Sequence, residues 1–493
     1  MPTAMLRLIL LALALLTSAP TAATALASRQ QEPSPLQLVE LDLALAIDYG
    51  QDRVSGRARL RLHHAGTTAV DRVPILLNRL LAVSGVTDED GRPLDFSQRI
   101  VGFDDYPKLQ VDYTTIALGA PVAPGSELTV VVTYAGSLVG YTETGALYIR
   151  DHLDPAFTIL RADAYAFPVV SPPAIAALRA RLPRPFLFRA AITVPDSLVV
   201  ATSGDRIDRQ QSAAGRSTWT YRSTAPVPFL NITIAPYAML ERDGVQSFFF
   251  HADSAGARLA VDRAVAGIAL LTRWFGPLEN PARLTVIEIP DGWGSQASLT
   301  GGIIQTAAAF RDPQRSHEIY HELSHLWNPP DTGTFSPRLN EGLASFLEWR
   351  MADALDGRSA LDSIVDLRAA TLIQRAATDP SLAQIPMAAY GRERRTDLSY
   401  RVGMLLFYAI ERCIGPDSFN ALWRDYYRKS RTTGGSDLDF AAFAARSSQG
   451  PGRPRATRLG RLFDEWFFTT RWLRRLTAGE SMTAIAATCR GRP

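Results

Sequence analysis

The chain has 493 residues, of which 46% are hydrophobic and 20% are charged. This composition is typical of a folded globular protein and excludes wholesale disorder, and the length predicts two or three domains. The 52 basic and 49 acidic side chains give a formal net charge of +3, which argues against a nucleic-acid-binding protein, because such proteins usually carry a larger and clustered basic excess. Histidine is more informative, since three of the seven lie close together, at His317, His321 and His325.

The N-terminus has the pattern of a secretory signal. Arg7 precedes an apolar run from Leu8 to Leu16, which is long enough for a signal peptide but shorter than the roughly 18 apolar residues of a membrane-spanning helix. Ala25-Leu26-Ala27 has the A-x-A pattern of a cleavage site. We therefore predict a signal peptide over residues 1–27, no transmembrane anchor, and an exported protein that is periplasmic or secreted.

Strand-like patterns fill the first part of the chain and helical patterns the second. Alternating or β-branched runs occur at residues 56–64, 127–136, 187–195 and 229–237. They predict an antiparallel β domain over residues 28–242. After a short β region that includes residues 284–291, helical patterns follow at residues 311–327, 336–355, 399–415 and 461–476. They predict a mainly helical second domain over residues 243–493.

A zinc-binding pattern lies on the first of these helical segments. Residues 321–325 read HELSH, an HExxH motif in which two histidines four residues apart lie on one helix face and bind the same metal ion. The glutamate beside the first histidine reaches the water at the metal and acts as a general base. The motif predicts that His321 and His325 are zinc ligands and that Glu322 is catalytic.

Glu341 is the predicted third ligand. It lies early in the next predicted helix, which starts at Ser336-Pro337, and a hairpin of two helices brings it back towards the histidine pair. Two histidines and one glutamate with an open fourth position form a catalytic zinc arrangement. We predict one zinc ion per chain, bound by His321, His325 and Glu341.

A second HExxH frame overlaps the first, from His317 to His321. One helix cannot place all three histidines on one metal ion without strain, since residues i and i+8 are about 12 Å apart along the axis. The surrounding HELSHLW and NEGLASF segments favour the frame 321–325. His317 is then a helix-surface residue or a group in contact with a ligand, and the frame 317–321 stays open as the alternative.

Two acidic or amide side chains near Glu341 are further candidates. Glu348 follows it by two helical turns on the same face and could accept a hydrogen bond from a ligand histidine, as metal sites commonly arrange. A solvent-facing charge is the alternative. Asn340 could orient Glu341, or it could be a cap or a surface residue.

The segments HELSHLW (321–327) and LNEGLASF (339–346) resemble the aminopeptidase-N and leukotriene-hydrolase family of zinc metallopeptidases, the gluzincins. The resemblance implies an α+β fold, with an N-terminal antiparallel, saddle-like β domain followed by a mainly helical, thermolysin-like zinc catalytic domain. LFDEWFFTTRW (462–472) resembles the end of that catalytic domain. The family's additional C-terminal helical domain is expected to be missing.

A tyrosine downstream extends the resemblance. Residues 400–403 read YRVG and resemble the family's Tyr-x-Lys-Gly, with Val402 in the place of the lysine. The resemblance implies that Tyr400 is catalytic and donates a hydrogen bond to the developing oxyanion of the substrate. Tyr390 and Tyr408 are the alternatives for this role.

The chain departs from the family where the substrate's free amine is bound. Family aminopeptidases carry a Gly-x-Met-Glu-Asn strand whose glutamate binds that amine, whereas residues 292–311 here contain no carboxylate. Two possible alignments place Ile304 or Leu299 at the glutamate position. Because a buried ammonium group needs a paired carboxylate, strict specificity for a free N-terminus is not expected. Residues 299–306 could still bind substrate backbone as a strand.

The sequence therefore predicts an exported zinc metallopeptidase that acts on a peptide or protein substrate. Two alternatives remain. One is an aminopeptidase whose amine is held by another carboxylate, such as Asp163 or Asp291, and the other is a metallopeptidase fold kept as a non-catalytic binding module. The two cysteines, Cys413 and Cys489, could form a disulfide in an exported protein, but their pairing cannot be read from the sequence, since Cys413 could equally be a buried thiol.

Overall fold

The computed structural model describes residues 33–144, 152–179, 185–278, 283–298, 302–330, 337–389, 397–447, 455–487 and 489. The predicted signal peptide, Leu299 and Tyr390 lie outside the described residues. Within the ranges above, none of the helices combines the length and the apolar composition needed to cross a membrane.

Strands dominate the chain up to Phe250. The strands are β1 (Leu36–Asp48), β2 (Arg53–His64), β3 (Val70–Asn78), β4 (Leu81–Asp88), β5 (Phe96–Phe103), β6 (Tyr106–Val122), β7 (Glu127–Gly136), β8 (Thr158–Arg161), β9 (Val169–Val170), β10 (Leu187–Pro195), β11 (Val199–Ala201), β12 (Asp205–Ser212), β13 (Arg216–Arg222), β14 (Asn231–Ala235), β15 (Tyr237–Arg242), β16 (Val245–Phe250), β17 (Leu284–Ile289), β18 (Gln296–Ser298) and β19 (Gly302–Thr306).

The largest sheet of the N-terminal region has the order β12-β13-β10-β1-β2-β7-β4. In β2, Val54, Ala58, Leu60 and Leu62 are buried and alternate with more exposed side chains, as expected for a strand with one face on the core. Four-stranded (β5-β6-β3-β9) and three-stranded (β11-β14-β8) sheets complete this region. The pairing is mainly antiparallel, as predicted, although β1 and β10 run parallel.

Helices dominate the rest of the chain. They are α1 (Ile175–Arg179), α2 (Ser254–Phe275), α3 (Ala308–Arg311), α4 (Glu318–Ser324), α5 (Pro337–Asp356), α6 (Leu361–Thr378), α7 (Asp397–Ile414), α8 (Pro416–Ser430), α9 (Asp437–Ser447), α10 (Arg455–Trp466), α11 (Arg471–Thr477) and α12 (Met482–Ala487). Together with the first part of the chain they give the predicted α+β fold.

A mixed sheet of order β15-β16-β17-β19-β18 joins the helices to the β region. One apolar core contains residues of this sheet together with residues of α2, α4, α5 and α7. The long helix α2 lies next to α4, and α4 packs against α5. The strand just before the predicted boundary at residue 242, β15, pairs with β16 inside this second sheet.

Two predicted helices are interrupted. The pattern at 311–327 gives α3, a turn and then α4, because Asp312 precedes Pro313 and adopts an extended conformation with φ −108° and ψ 109°, as residues before proline tend to do. The pattern at 461–476 divides into α10 and α11. Between them, the Thr469 hydroxyl donates to the backbone carbonyl of Asp464 at 2.8 Å, an alternative to the helical backbone pattern.

The structure pairs the two cysteines. Cys413 of α7 and Cys489 form a disulfide that spans 76 residues, with a Cα–Cα distance of 5.9 Å. Both residues are buried in the helical core. The disulfide therefore fixes the end of the described chain to the helix that also carries Tyr400.

Candidate metal centre

Two packed helices bring the predicted ligands together. His321 lies on α4, which begins at Glu318, and His325 follows in a 3-10 turn that continues the helix to Trp327. Their rings are one turn apart, with centroids 5.1 Å from each other. Glu341 lies near the start of α5, and its carboxylate points back at both rings.

The distances between the ligand atoms suit one metal ion. Glu341 Oε2 is 3.1 Å from His321 Nε2 and 3.5 Å from His325 Nε2, and one ligand atom from each of the three residues lies within 4.8 Å of the others. A tetrahedral zinc ion with ligands at about 2.0–2.1 Å places neighbouring ligand atoms about 3.3 Å apart. The two imidazoles and the carboxylate are thus a donor set that fits zinc.

The outer nitrogen of each imidazole is also held. His321 Nδ1 lies 3.3 Å from Glu348 Oε2, and His325 Nδ1 donates to Asn340 Oδ1 at 2.7 Å. When the proton is on Nδ1, the lone pair of Nε2 faces the cluster and is free to bind a metal ion. Glu348 thus contacts His321, one of the predicted ligands, whereas Asn340 contacts His325 rather than Glu341.

The electrostatics of the cluster favour a positive charge at its centre. Burial lowers the pKa of His325, which keeps that imidazole neutral. Burial acts in the same direction on His321, but its hydrogen bonds to Glu341 and Glu348 outweigh it and raise the pKa of His321 well above its usual value. A cation between these carboxylates is therefore stabilised, which is the electrostatic requirement of a metal site.

His317 stands outside the ligand set. Its Nε2 lies 3.2 Å from Glu348 Oε1, whereas His321 contacts the other oxygen of that carboxylate, and its Nδ1 donates to the carbonyl of Gln314 at 2.7 Å. The ring packs on Trp349, with centroids 4.3 Å apart, and is only 6% exposed. Among the described residues, the group that could hold a metal ion consists of His321, His325 and Glu341, which favours the frame 321–325. His317 contacts Glu348, which in turn contacts His321.

Glu322 is buried beside the ligands. Its residue is 7% exposed, and this burial, together with the nearby carboxylates Glu341 and Glu348, raises the pKa of the Glu322 carboxyl to about 8. A carboxyl whose pKa lies near neutrality is suited to accept and return a proton.

Of the three candidate tyrosines, Tyr400 lies at the cluster. It lines a cavity together with His321, and its side chain hydrogen-bonds Glu341. The residue is 44% exposed, so a substrate can reach it. Tyr408 is buried and donates instead to Asp362 Oδ1 at 3.0 Å. Tyr390 lies outside the described residues.

One of the two positions aligned with the family's amine-binding glutamate is apolar, and the other, Leu299, lies outside the described residues. Ile304 is 3% exposed and belongs to β19. Both rival carboxylates are engaged elsewhere: Asp163 makes two 2.8 Å hydrogen bonds with Arg161, and Asp291 accepts from the Ala308 backbone at 2.8 Å.

The strand available to a substrate differs from the one predicted. Residues 299–306 were the predicted backbone-binding segment, but within the described part of it β19 lies between β17 and β18. The edge of the sheet is β18, residues 296–298, which packs beside α4 and the turn that contains His325. A substrate strand therefore meets β18 first.

Two residues near the cluster, Arg368 and Asn328, were not expected from the sequence. The cavity beside His321 and Tyr400 is also lined by Arg368 of α6, and by Arg401 of α7. Helix α6 contains no motif that would point to a site. Asn328, whose amide lies 3.2 Å from His325 Nδ1, was also missed, although its position three residues after a ligand could have indicated it.

Solved structures share this fold. A mutant M1 zinc metallopeptidase from Deinococcus radiodurans bound to a Tyr-Ser-Ala substrate has a TM-score of 0.62 and 18% identity, over 89% of this chain and 95% of that chain. The M1 zinc metallopeptidase from the same organism gives the same values. A two-domain M1 zinc metallopeptidase mutant bound to L-tryptophan is 17% identical, with a TM-score of 0.62 over 90% of this chain and 95% of that one.

No protein-family model matches the chain, and neither does any curated protein. At the identities above, the likeness to solved structures concerns the arrangement of the chain in space. The protein thus has the α+β fold of the M1 zinc metallopeptidases, with a sheet-rich N-terminal region followed by a helical region.

Proposed function

We propose that this protein is a zinc-dependent metallopeptidase that hydrolyses peptide bonds. The observation that carries the proposal is the convergence of His321, His325 and Glu341 at tetrahedral ligand spacing on a fold shared with M1 zinc metallopeptidases. Buried Glu322 and accessible Tyr400 beside the same ligands add the two groups that the hydrolysis requires.

Each side chain has a separate task. When bound, zinc supplies a Lewis acid that polarises the scissile carbonyl and lowers the pKa of water. Glu322 accepts the proton of the attacking water and passes it to the leaving amine. Tyr400 donates its hydroxyl proton in a hydrogen bond to the substrate oxygen as that oxygen gains negative charge. Glu348 and Asn340 hold the two imidazoles in orientation.

A free substrate N-terminus is not a strict requirement in this proposal. One of the two positions aligned with the family's amine-binding glutamate is buried Ile304, and Asp163 and Asp291 are already bound by other groups of the protein. An ammonium group gains no matched carboxylate from these residues. Backbone pairing with the edge strand β18 binds a peptide without regard to its terminus.

We also propose that the protein is exported. The disulfide between Cys413 and Cys489 is the supporting observation, because such bonds persist in oxidising compartments. The residues of the predicted signal peptide agree with this proposal. N-terminal sequencing of the protein from a periplasmic or culture fraction tests it, and a chain that begins at Met1 contradicts it.

Glu322→Gln tests the proposed chemistry. The variant keeps the size of the side chain but cannot accept a proton, so we expect it to bind zinc stoichiometrically and to lose at least about 100-fold in kcat. Glu318→Gln, one turn earlier on the same helix and paired with Arg315 at 2.7 Å, is the matched control and should retain activity. Hydrolysis by Glu322→Gln at the wild-type rate contradicts the mechanism.

Peptides with free and blocked N-termini separate the proposal from its alternatives. Comparable cleavage of both supports the proposed peptidase, whereas strict refusal of blocked peptides supports an aminopeptidase with a different amine-binding group. Stoichiometric zinc without cleavage of any member of a broad peptide library supports a binding module. Loss of cleavage with a chelator, and its return with zinc, shows that the metal is required.

A further inference from the structure

A cavity of about 230 Å³ opens beside the metal ligands, between α5, α6 and α7. His321 and Tyr400 form part of its wall, so any group bound there lies next to the reacting bond of the proposed reaction. Pockets for whole small molecules usually measure about 300–1,000 Å³. The smaller size suits one side chain or one terminus of a longer substrate.

Two arginines give this cavity its charge. Arg368 of α6 is half-buried and Arg401 of α7 is exposed, and within the described ranges neither makes a hydrogen bond or an ion pair. Other arginines of the same helical region are paired, such as Arg350 with Glu411 at 2.6 Å. The chain is rich in arginine, since all but two of its 52 basic residues are arginines. The number of arginines therefore says little about function. The position of Arg368 and Arg401 in a cavity, without a protein partner among the described residues, is what indicates a binding role.

The carboxylate in the cavity wall does not neutralise these arginines. Glu348 faces the cavity, but its two oxygens lie 3.2 and 3.3 Å from His317 Nε2 and His321 Nδ1. Both oxygens are thus committed to imidazoles. The cavity keeps an excess of positive charge, and the planar guanidinium groups present donors that match a carboxylate in pairs.

We infer that Arg368 and Arg401 bind a carboxylate of the peptide substrate in this cavity, next to the scissile bond. The inference rests on the proposed peptidase function, because it assigns a substrate class to that site. The carboxylate comes either from an Asp or Glu side chain or from the C-terminus of a short peptide. Both sources offer the same chemistry, and matched peptides distinguish them.

The first experiment compares kcat/KM of the zinc-loaded enzyme on peptide pairs. One pair differs only as Glu and Gln at a position beside the cleaved bond, and each position is scanned in turn. The other pair differs only as a free and an amidated C-terminus. We expect a preference of about 10- to 100-fold for the carboxylate in one of the pairs, and the pair that shows it identifies the source.

Arg368→Gln and Arg401→Gln should each reduce that preference, and the double variant should abolish it. Arg428→Gln is the matched control, since Arg428 is a well-exposed arginine of α8 away from the cavity, and it should keep the preference. Equal kcat/KM for the charged and uncharged member of every pair overturns the inference and leaves the proposed peptidase function intact. A preference that survives in the double variant also overturns it.

If no peptide is cleaved, the proposed peptidase function is contradicted, but the carboxylate site can still be tested by measuring peptide binding directly. Calorimetry on the zinc-loaded Glu322→Gln variant measures Kd for the same peptide pairs. Tighter binding of the carboxylate member, lost when Arg368 and Arg401 are both replaced by Gln, supports the carboxylate site. Equal binding of both members overturns it.

Discussion

Two buried carboxyl groups, one on the side of α4 that faces other helices and one on the side that faces the sheet, have pKa values shifted in opposite directions. On the helix side, burial alone would raise the pKa of Glu348, but hydrogen bonds from His317 and His321 lower it to about 2. On the sheet side, Glu288 of β17 is fully buried, and burial together with a hydrogen bond to the Asp253 carboxyl raises its pKa to about 9. The first group is ionised at neutral pH and the second is protonated.

The difference shows what makes a buried carboxylate useful here. Burial costs free energy for either group, and only a cationic or donating partner offsets that cost. The three histidines in or directly beside α4 provide such partners for Glu341 and Glu348, so negative charge collects around the predicted metal ligands. On the sheet side Glu288 keeps its proton, and Ile304, at one of the two positions aligned with the family's amine-binding glutamate, is apolar and buried.

The disulfide belongs to the helix side and gives the largest expected effect on stability. Replacing both Cys413 and Cys489 by Ala opens a loop of 76 residues, which should lower the free energy of unfolding by roughly 4 kcal/mol on the chain-entropy account. Denaturant unfolding measures the loss. Adding reductant to the wild-type protein is the control and should produce a similar loss, and wild-type stability of the double variant contradicts the assignment.

Tyr400→Phe tests whether the helix side supplies the oxyanion donor. The variant removes one hydroxyl at an exposed position, so folding should be unchanged, and kcat should fall by about 100- to 1,000-fold as for other lost oxyanion donors. Tyr113→Phe, in the N-terminal β region, is a control for the loss of a tyrosine hydroxyl. An unchanged kcat for Tyr400→Phe means that another group stabilises the oxyanion.

Local patterns explain which parts of the fold the sequence predicts. Strands β7 and β10 match the predicted ranges 127–136 and 187–195. In β10, buried and more exposed residues alternate with the period of a strand, whereas β7 has four consecutive buried residues and is marked by its β-branched composition. The proximity of His321 and His325 was predictable for a related reason, since residues four apart share a helix face. Helix α4 begins at Glu318, later than in the predicted segment 311–327, because the residues that follow the extended Asp312 form a turn before the helix starts.

Tertiary packing decides the rest, and no local pattern records it. The pairing of Cys413 with Cys489 depends on how α7 meets the end of the chain. The approach of Arg368 to Tyr400 likewise depends on the packing of α6 beside α7. The backbone-binding edge was predicted within 299–306, but β18 covers that side of β19, which follows from a strand pairing that single-sequence reasoning cannot see.

Glu348→Gln sharpens the comparison on its charged side. The amide keeps the shape but loses the charge that holds His321 Nδ1, and replacing such an outer partner typically lowers metal affinity by about 10- to 100-fold. Zinc affinity by chelator competition is the readout, because a merely structural role leaves it unchanged. Glu241→Gln, at an exposed ion pair with Arg283, is the control, and equal zinc affinity in wild type and Glu348→Gln refutes the positioning role.

Glu288→Gln tests the neutral side of the comparison. Because its pKa is raised to about 9 in the folded protein and is near 4.3 in an unfolded chain, the folded state keeps a proton that the unfolded state has released between these values. Stability from this group is complete at low pH and falls as pH rises through that window, by at most about 1.4 kcal/mol per pH unit.

The variant has no proton to lose at this position, so its stability should fall less than that of the wild type between about pH 6 and pH 8.5. Denaturant midpoints at the two pH values give the measurement, and subtracting the variant's change from the wild-type change cancels the titrating groups that do not interact with Glu288, the metal ligands included. The exposed Glu241→Gln should follow the wild type. A change in Glu288→Gln as large as in the wild type means that Glu288 is already ionised, and the contrast between the two sides of α4 then disappears.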